Sequence, residues 1–230
     1  MSVIKLSPET VQTFKKMYSI NQSLRILENE TTIKTINESK TRAAYAQIKE
    51  KFPRDFCIYD LSEFISAMSI VNEPILDFSN KKFVVIKNEE NSQRLKYVET
   101  DPDLITSYFE RNLSLKSDDI EIDVGEDVLK AVMKSASTLR LEFIGFKADG
   151  EKVYFTTFNR RVESDDEEMN AFTVELGECE ETFDIFYESN MLDVLEGDTK
   201  FTFCKNQRIT KVDCGSIVYW IAMDKDSEIE

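Results

Sequence analysis

The sequence predicts an α+β protein of two similar domains, because one order of strands and helices occurs twice along its 230 residues. The first helix start, at Ser7, has a counterpart at Gly125, an offset of 118 residues. A short apolar strand followed by a helical pattern occupies 56–74 and returns within 182–195, where the spacing of Phe56, Ile58 and Tyr59 is repeated by Phe183, Ile185 and Phe186 at an offset of 127 residues. The two copies therefore differ by only a few residues in the length of their loops.

Two helices are predicted in the first copy. Ser7 is the N-cap of the first, Pro8 takes its first position, and the helix is expected to run to about Ser19. Asp60 caps the second, with Glu63 completing an Asp-x-x-Glu box. The residues predicted to face the core are Val11, Phe14 and Tyr18 in the first helix and Leu61, Phe64, Ile65 and Met68 in the second.

Short β patterns, separated by polar or turn residues, make up the rest of the first copy. They cover residues 24–27, 31–36, 43–48, 75–78, 83–87 and 94–98. Beyond Thr100 the strand period is lost, and Asp101-Pro102 stops any helix. We therefore predict an N-terminal domain at 1–100, an interdomain connector at 101–119 and a C-terminal domain at 120–230.

The second copy begins with a strand at 120–124 and a helix from Gly125. The apolar face of that helix carries Val128, Leu129, Val132, Met133 and Ala136. Further strands are predicted at 141–146, 153–158, 171–176, 183–186, 200–204, 209–212 and 217–222. A second short helix is expected directly after the strand at 183–186.

The net charge of −15 is concentrated in the second half of the chain. Residues 101–230 hold 14 Lys and Arg against 31 Asp and Glu, whereas residues 1–100 hold 15 against 13. This acidity argues against tight binding to phosphates and favours a protein partner. There is neither an apolar run long enough to cross a membrane nor the apolar segment of a signal peptide, which predicts a soluble, cytoplasmic protein.

The chain lacks the residues on which most enzymes rely. It has no histidine and no glycine-rich phosphate-binding loop. Its four cysteines are far apart without C-x-x-C spacing, and we expect them to be small buried side chains. The acidic segment 163–168 lacks the glycine and spacing of a calcium loop and is expected to be a solvated hairpin loop. We therefore expect no enzyme activity, no cofactor and no metal.

Two stretches of this sequence resemble the DNA polymerase sliding clamps of T-even-type bacteriophages. One is Ile58-Tyr59-Asp60-Leu61 with its small helix ending in Ser-x-Val-Asn, and the other is the opening KLSPET…F…INQS at 5–23. The resemblance implies the DNA-clamp fold, in which each domain has antiparallel sheets on the outside and two helices lining a central hole. It further implies a ring-forming homotrimer that encircles double-stranded DNA.

The same resemblance implies a set of partners. They are the replicative DNA polymerase, which binds through a C-terminal peptide, a separate ATP-dependent clamp loader and late-transcription factors, all in the cytoplasm of an infected bacterial cell. The alternative is an acidic protein–protein interaction module, or a DNA mimic, that never encircles DNA. A carboxylate-dependent enzyme is a third class.

Three sets of site residues follow from these considerations. The polar helix faces that would line the hole carry Gln12, Lys15, Lys16, Lys130 and Lys134, which from the helix pattern alone are ordinary solvated side chains. The resemblance also implies an apolar pocket for partner peptides, formed by Leu104, Ile105, Tyr108 and Phe109 of the connector with Ala222 and Met223. The alternative is that the four connector residues only attach the connector to the sheet. Trp220 is expected in the core. The sheet edges expected at the subunit interface are Arg94, Leu95, Lys96, Tyr97 and Val98, and Ala171, Phe172, Thr173, Val174, Glu175 and Leu176.

Overall fold

A computed structural model describes residues 2–117, 120–159 and 170–229. The chain forms two compact units, Met1–Asn112 with Ser216–Val218, and Leu113–Gly215 with Tyr219–Glu230. The first division, after Asn112, falls inside the segment 101–119 in which the sequence pattern is lost. The acidic segment 163–168 lies outside the described residues.

The described part of the first unit contains two α-helices and three groups of antiparallel strands. Its elements in chain order are β1 (Val3–Ile4), α1 (Pro8–Tyr18), β2 (Leu24–Ile26), β3 (Thr32–Ile36), β4 (Arg42–Gln47), β5 (Phe56–Ile58), α2 (Leu61–Ile70), β6 (Ile75–Asp77), β7 (Phe83–Lys87) and β8 (Arg94–Val98). One sheet has the order β1-β6-β7-β8, β2 pairs with β5, and β3 pairs with β4. Residues 216–218 run beside β4, where the Gln47 N–H donates to the Ser216 carbonyl at 3.4 Å.

The predicted start of α1 is confirmed, but one residue of its predicted buried face is wrong. Ser7 Oγ accepts a hydrogen bond from the Thr10 N–H at 3.3 Å, as an N-cap does. Tyr18 is 44% exposed, and the buried stripe consists of Thr10, Thr13, Phe14 and Met17. Thr10 and Thr13 can be buried because their hydroxyls donate hydrogen bonds, to the Glu50 carboxylate and to the Glu9 carbonyl respectively. The buried face of the helix therefore includes these two threonines and leaves Tyr18 outside it.

Helix α2 follows the sequence prediction closely. Asp60 Oδ1 accepts from the N–H groups of Ser62 and Glu63 at 2.8 and 3.1 Å. Phe64, fully buried in the predicted face, has its ring centroid 6.4 Å from that of Phe14 and 5.1 Å from that of Tyr97. This aromatic cluster joins both helices to β8 and forms the centre of the first core.

The described part of the second unit has one α-helix and mostly antiparallel strands. Its elements are β9 (Ile120–Val124), α3 (Glu126–Leu139), β10 (Phe143–Asp149), β11 (Lys152–Phe158), β12 (Phe172–Glu178), β13 (Thr182–Glu188), β14 (Thr199–Phe203), β15 (Ile209–Asp213), β16 (Ile217–Ala222, which begins in the first unit) and β17 (Glu228–Ile229). One sheet has the order β12-β11-β10-β13-β17, and a second contains β16-β15-β14-β9.

Helix α3 buries Leu129, Val132 and Ala136, and it packs on β10, β11 and β12. Its N-cap, Gly125, has no side chain to offer. Asp198 supplies the missing acceptor, because its Oδ1 takes the Glu126 N–H at 2.9 Å. Val128 and Met133, predicted for the same apolar face, are half-buried at its margins.

The second short helix expected in this copy is only a single 3-10 turn, Ser189–Met191. The buried residues that follow, Leu192, Val194 and Leu195, are spaced at i, i+2 and i+3, which is not the stripe of an α-helix. Gly197, with φ of +75°, then turns the chain into β14. The echo of 56–74 therefore reproduces the strand but not the α-helix.

Candidate nucleic-acid interface and partner surfaces

The polar face of α1 presents Gln12 and Lys15 to solvent, while Lys16 is half-buried. A groove of about 470 Å³ runs along this face. Lys49, just after β4, also lines the groove, and its Nζ lies 3.3 Å from a Glu9 carboxylate oxygen. Lys49 is a further cation beside the predicted face that the helix period could not reveal, because it belongs to another element.

Helix α3 presents Lys130 and Lys134 on the side opposite its buried stripe, and both are exposed. They differ in their surroundings. Lys130 Nζ lies 2.6 Å from Glu126 Oε1, and this hydrogen bond raises the pKa of the lysine. Among the described residues, no carboxylate lies within ion-pair distance of Lys15 or Lys134. These two ammonium groups are therefore the predicted cations that are most available to an external phosphate.

Three of the four apolar connector residues are used by the first unit itself. Ile105 is only 7% exposed. The Arg25 guanidinium lies 4.9 Å from the Tyr108 ring centroid, and the Phe109 ring stacks on Tyr45 at 5.6 Å. These contacts tie the connector to β2 and β4.

Hydrogen bonds also attach the connector to β3. Ile36 N–H donates to the Ser107 carbonyl at 3.1 Å, and Lys34 Nζ donates to Asn112 at 2.8 Å. Leu104, at the end of the 3-10 turn Pro102–Leu104, is the exception, because it is 57% exposed. It is thus the connector residue whose apolar surface is available to a partner.

The C-terminal residues assigned to the pocket lie in the second unit. Ala222 is half-buried and Met223 is buried, with the Met223 N–H donating to the Arg208 carbonyl at 3.0 Å. Trp220 is buried, which confirms that it belongs to the core.

Both strands expected at the subunit interface are the last strands of their sheets in the described residues. β8 ends one sheet, with Arg94, Lys96 and Val98 exposed, Leu95 half-buried and Tyr97 buried. β12 ends another, with Ala171 just before it, Thr173 and Glu175 exposed, and Phe172, Val174 and Leu176 half-buried. Their assignment to subunit contacts stays a prediction.

The four cysteines differ in their surroundings, and a hydrogen bond with Ser117 lowers the pKa of the Cys204 thiol. All four are free thiols; Cys57 and Cys204 are buried, while Cys179 and Cys214, against expectation, are only half-buried. Burial raises the pKa of Cys57 to about 11, so this thiol stays protonated at neutral pH. Within the described ranges, no three His, Cys, Asp or Glu side chains are grouped so that they could hold a metal ion. None of the helices described there is long and apolar enough to cross a membrane.

Several known proteins are similar to this chain in sequence or in fold. No family model matches the sequence. Among solved structures, proliferating cell nuclear antigen of Entamoeba histolytica is similar with a TM-score of 0.68 and 12% identity, over 97% of this chain and 98% of that one. A curated sliding clamp of Vibrio phage KVP40 is 26% identical over 201 residues, covering 86% of this chain and 89% of the phage protein.

The chain is similar in sequence to a phage sliding clamp and has the fold of sliding clamps. The beta clamp of Helicobacter pylori has the same fold, with a TM-score of 0.70 and 14% identity over 96% of this chain. This chain spans only 65% of the length of that clamp. PCNA of A. fulgidus, solved with the C-terminal region of FEN-1, matches with a TM-score of 0.67 and 14% identity over 99% of this chain and 100% of that one.

Proposed function

We propose that this protein is a sliding clamp, which encircles duplex DNA as a ring and tethers the replicative DNA polymerase so that synthesis is processive. The observation that carries the proposal is the likeness to a phage sliding clamp along 86% of the chain, joined to a clamp fold that matches PCNA chains end to end. The protein itself performs no reaction and needs no cofactor.

An acidic protein can hold DNA in this way because a closed ring needs no tight binding. Retention is topological, so weak contacts from exposed lysines suffice, and strong phosphate binding would impede sliding. Lys15 and Lys134 are available for such contacts, and Lys130 is partly neutralised by Glu126. The net charge of −15 per chain repels DNA elsewhere and favours a position beside the lysines.

The ring we propose is a homotrimer. A chain of the length of PCNA contributes two of the repeated units, and sheet edges such as those of β8 and β12 are natural templates for pairing with another copy. A closed assembly of identical subunits then needs one kind of junction, used three times.

The partners we propose are those that use such a ring. An apolar segment from the C-terminus of the polymerase would dock at Leu104, and the solved beta clamp of Helicobacter pylori bound to a DNA ligase peptide supports peptide docking on this fold. A separate ATP-dependent loader would open the ring, late-transcription factors would use it as a mobile platform, and the setting would be the cytoplasm of an infected bacterial cell.

Solution mass and particle shape test this proposal. Analytical ultracentrifugation of the full chain should give three times 26.7 kDa, and negative-stain images should show a central hole. A monomer at micromolar concentration, without ring-shaped particles, would instead favour an acidic interaction module that never encircles DNA.

The assignment of the DNA-facing lysines is tested separately from the assembly of the ring. A variant in which the four predicted DNA-facing lysines are replaced by Ala should keep the mass of the trimer. It should load less clamp onto DNA, and the polymerase should make shorter DNA per binding event. The four residues are Lys15, Lys16, Lys130 and Lys134. A control of equal charge change replaces four exposed lysines elsewhere: Lys40, Lys51, Lys147 and Lys225. Equal DNA retention in both variants would show that the four predicted lysines do not face DNA.

A further inference from the structure

A pocket of about 680 Å³ lies in the first unit, at the point where β8 ends and the connector begins. Its walls include the turn between β6 and β7, with Lys81 and Lys82, and the chain from Val98 to Pro102. The volume is within the range of about 300–1,000 Å³ that is usual for ligand pockets. Neither lysine belongs to the three sets of site residues predicted from the sequence.

Arg54 holds the walls of this pocket in place. Its guanidinium donates to both carboxylate oxygens of Glu99, directly after β8, and to the carbonyl of Asn80 in the β6–β7 turn at 3.0 Å. The same group lies 5.2 Å from the ring centroid of Phe78. The side chains of the Arg54–Glu99 pair are only 23% and 11% exposed. Because a bidentate pair fixes the orientation of both partners, the pocket is preformed, and both charges of the pair are already neutralised.

Two cations at the pocket are not neutralised in this way. Lys81 and Lys82 are both exposed. In the described ranges of the chain, no carboxylate lies within ion-pair distance of either ammonium group. Adjacent like charges repel each other, and a bound anion would relieve that repulsion.

The carboxylates that line the same pocket have partners of their own. Glu99 is neutralised by its ion pair, and both oxygens of Asp55 accept hydrogen bonds, from the Arg25 guanidinium at 2.8 Å and from a backbone N–H at 2.9 Å. Asp101 is exposed, and its Oδ1 accepts from a backbone N–H at 3.0 Å. The two lysines are therefore opposed by one exposed carboxylate, which leaves the pocket with an excess of positive charge in a chain whose net charge is −15.

Apolar side chains border the two lysines. Val98 is 65% exposed, and Pro102 is exposed at the start of the 3-10 turn that ends at Leu104. Val98 lies opposite Phe83 in the β7–β8 ladder, so Lys82, the residue before Phe83, lies beside it. The Val98 side chain projects from a face of the sheet and leaves the open edge of β8 for another copy. The pocket thus matches a ligand that joins an apolar group to an anion.

We propose that this pocket binds the free C-terminal carboxylate of a partner's peptide, with Lys81 and Lys82 as its cations. The proposal rests on the proposed function, in which the polymerase docks at Leu104 through its C-terminal segment. The last apolar side chain of that peptide packs on Val98 and Pro102. The two ammonium groups donate charge-assisted hydrogen bonds to the terminal carboxylate, which is ionised at neutral pH.

A terminal carboxylate fits this pocket better than the carboxylate of an acidic side chain. The terminal group is attached to the same Cα atom as the last side chain, so a single residue can reach both the lysines and Val98. An acidic residue would need an apolar neighbour, and consecutive side chains of an extended peptide point in opposite directions. The pocket therefore favours a partner that binds through the end of its chain.

Amidation of the peptide tests the site. The full-length clamp is titrated into the fluorescein-labelled C-terminal peptide of the polymerase, prepared as the free acid and as the C-terminal amide, and fluorescence anisotropy gives both dissociation constants. For the unmodified clamp, the amide should bind about fivefold more weakly, because it lacks the charge that the lysines attract. The difference should shrink as salt is added.

The lysines are tested with the same pair of peptides. With Lys81→Ala and Lys82→Ala together, the free acid should bind as weakly as the amide, because the terminal charge then has no cation to meet. With Lys81→Glu and Lys82→Glu, the amide should bind more tightly than the free acid. The matched control, Lys51→Ala with Lys147→Ala, removes two exposed lysines outside the pocket and should keep the fivefold preference. Because all the substituted residues are exposed, the trimer mass should be unchanged and melting temperatures should stay within about 2 °C of the parent chain.

The outcomes separate this site from the proposed function. Equal affinities of the acid and the amide for the unmodified clamp would overturn the site while leaving peptide docking intact. A preference for the acid that survives in the alanine variant would place the carboxylate elsewhere and would also overturn it. Loss of DNA retention in that variant, with unchanged peptide affinity, would assign the lysines to phosphate instead. A trimeric clamp that binds neither peptide would contradict polymerase docking, and with it this site, without contradicting the ring.

Discussion

Replacing Gly145 by Ala is expected to destabilise the second unit strongly. Gly145 lies in β10, between Thr156 of β11 and Phe186 of β13. A Cβ added at this position would lie 2.5 Å from the Cβ of Phe186 and closer still to the carbonyl oxygen of Ile185. Neither group is the free end of a flexible side chain, so β10 and β13 would have to separate.

The size of the effect follows from that separation. Opening the central ladder of a five-stranded sheet disturbs both its hydrogen bonds and the packing beneath it, and overpacking of this kind costs about 3 kcal/mol or more. For a unit of this size, that corresponds to a fall in melting temperature of about 10 °C or more. The expected loss lies at the severe end of single substitutions.

The chain offers both a local probe and a matched control. Its single tryptophan, Trp220, is buried in the second unit, so its fluorescence reports on the melting of that unit. In Gly125→Ala the new Cβ would be 3.9 Å from the nearest atom, Asp198 Oδ1, and a loss of less than about 1 kcal/mol is expected. If both variants melted at the same temperature, the close approach of β10 and β13 would not be a constraint.

Three further predictions concern stability and binding. Leu104→Ser should weaken binding of the polymerase peptide at least tenfold in a fluorescence-anisotropy titration without changing the melting temperature. Ile105→Ser should instead lower the stability of the first unit by about 2–4 kcal/mol. A loss of stability in Leu104→Ser and of peptide binding alone in Ile105→Ser would contradict the exposure of Leu104 and the burial of Ile105. The hydrogen bond from Lys87, with help from Ser79, lowers the pKa of Asp77 from 3.8 to about 2, so its contribution is present above pH 3.8 and lost as pH falls through about 2. Asp77→Asn should therefore lower stability by about 1–2 kcal/mol at pH 7 and by less than about 0.5 kcal/mol near pH 2 in thermal melts, and an equal loss at both pH values would refute this. Glu126→Gln should free Lys130 from its ion pair and raise the weak affinity for duplex DNA about twofold at low salt, whereas an unchanged affinity would show that Lys130 does not face DNA.

Local signals predicted the helix starts of this protein well, because caps depend on near neighbours. Ser7 and Asp60 both accept hydrogen bonds from residues two or three positions ahead, and the sequence shows those residues directly. The buried face of α1 could not be predicted in full. Thr10 is buried because its hydroxyl meets Glu50, which is 40 residues away, and no period within the helix contains that information.

The candidate sites also contain one part that the sequence could predict and one that it could not. Helical periodicity was enough to place Lys130 and Lys134 on one exposed face, and the i,i+4 spacing of Glu126 and Lys130 is itself readable from the sequence. The connector is different. Its apolar residues look alike in sequence, and only the positions of Arg25 and Tyr45 show that Leu104 is the one left exposed.

Retention on DNA of different topology tests the central claim most directly. The clamp is loaded onto a nicked circular duplex by the ATP-dependent loader that we propose for it. The DNA–clamp complex is separated from free protein at moderate salt, and the DNA is then cut once with a restriction enzyme. A ring that encircles DNA should stay with the circle and leave the linear molecule through its ends. Equal retention on circular and linear DNA would contradict the account, because the protein would then be bound to the surface of DNA rather than threaded on it.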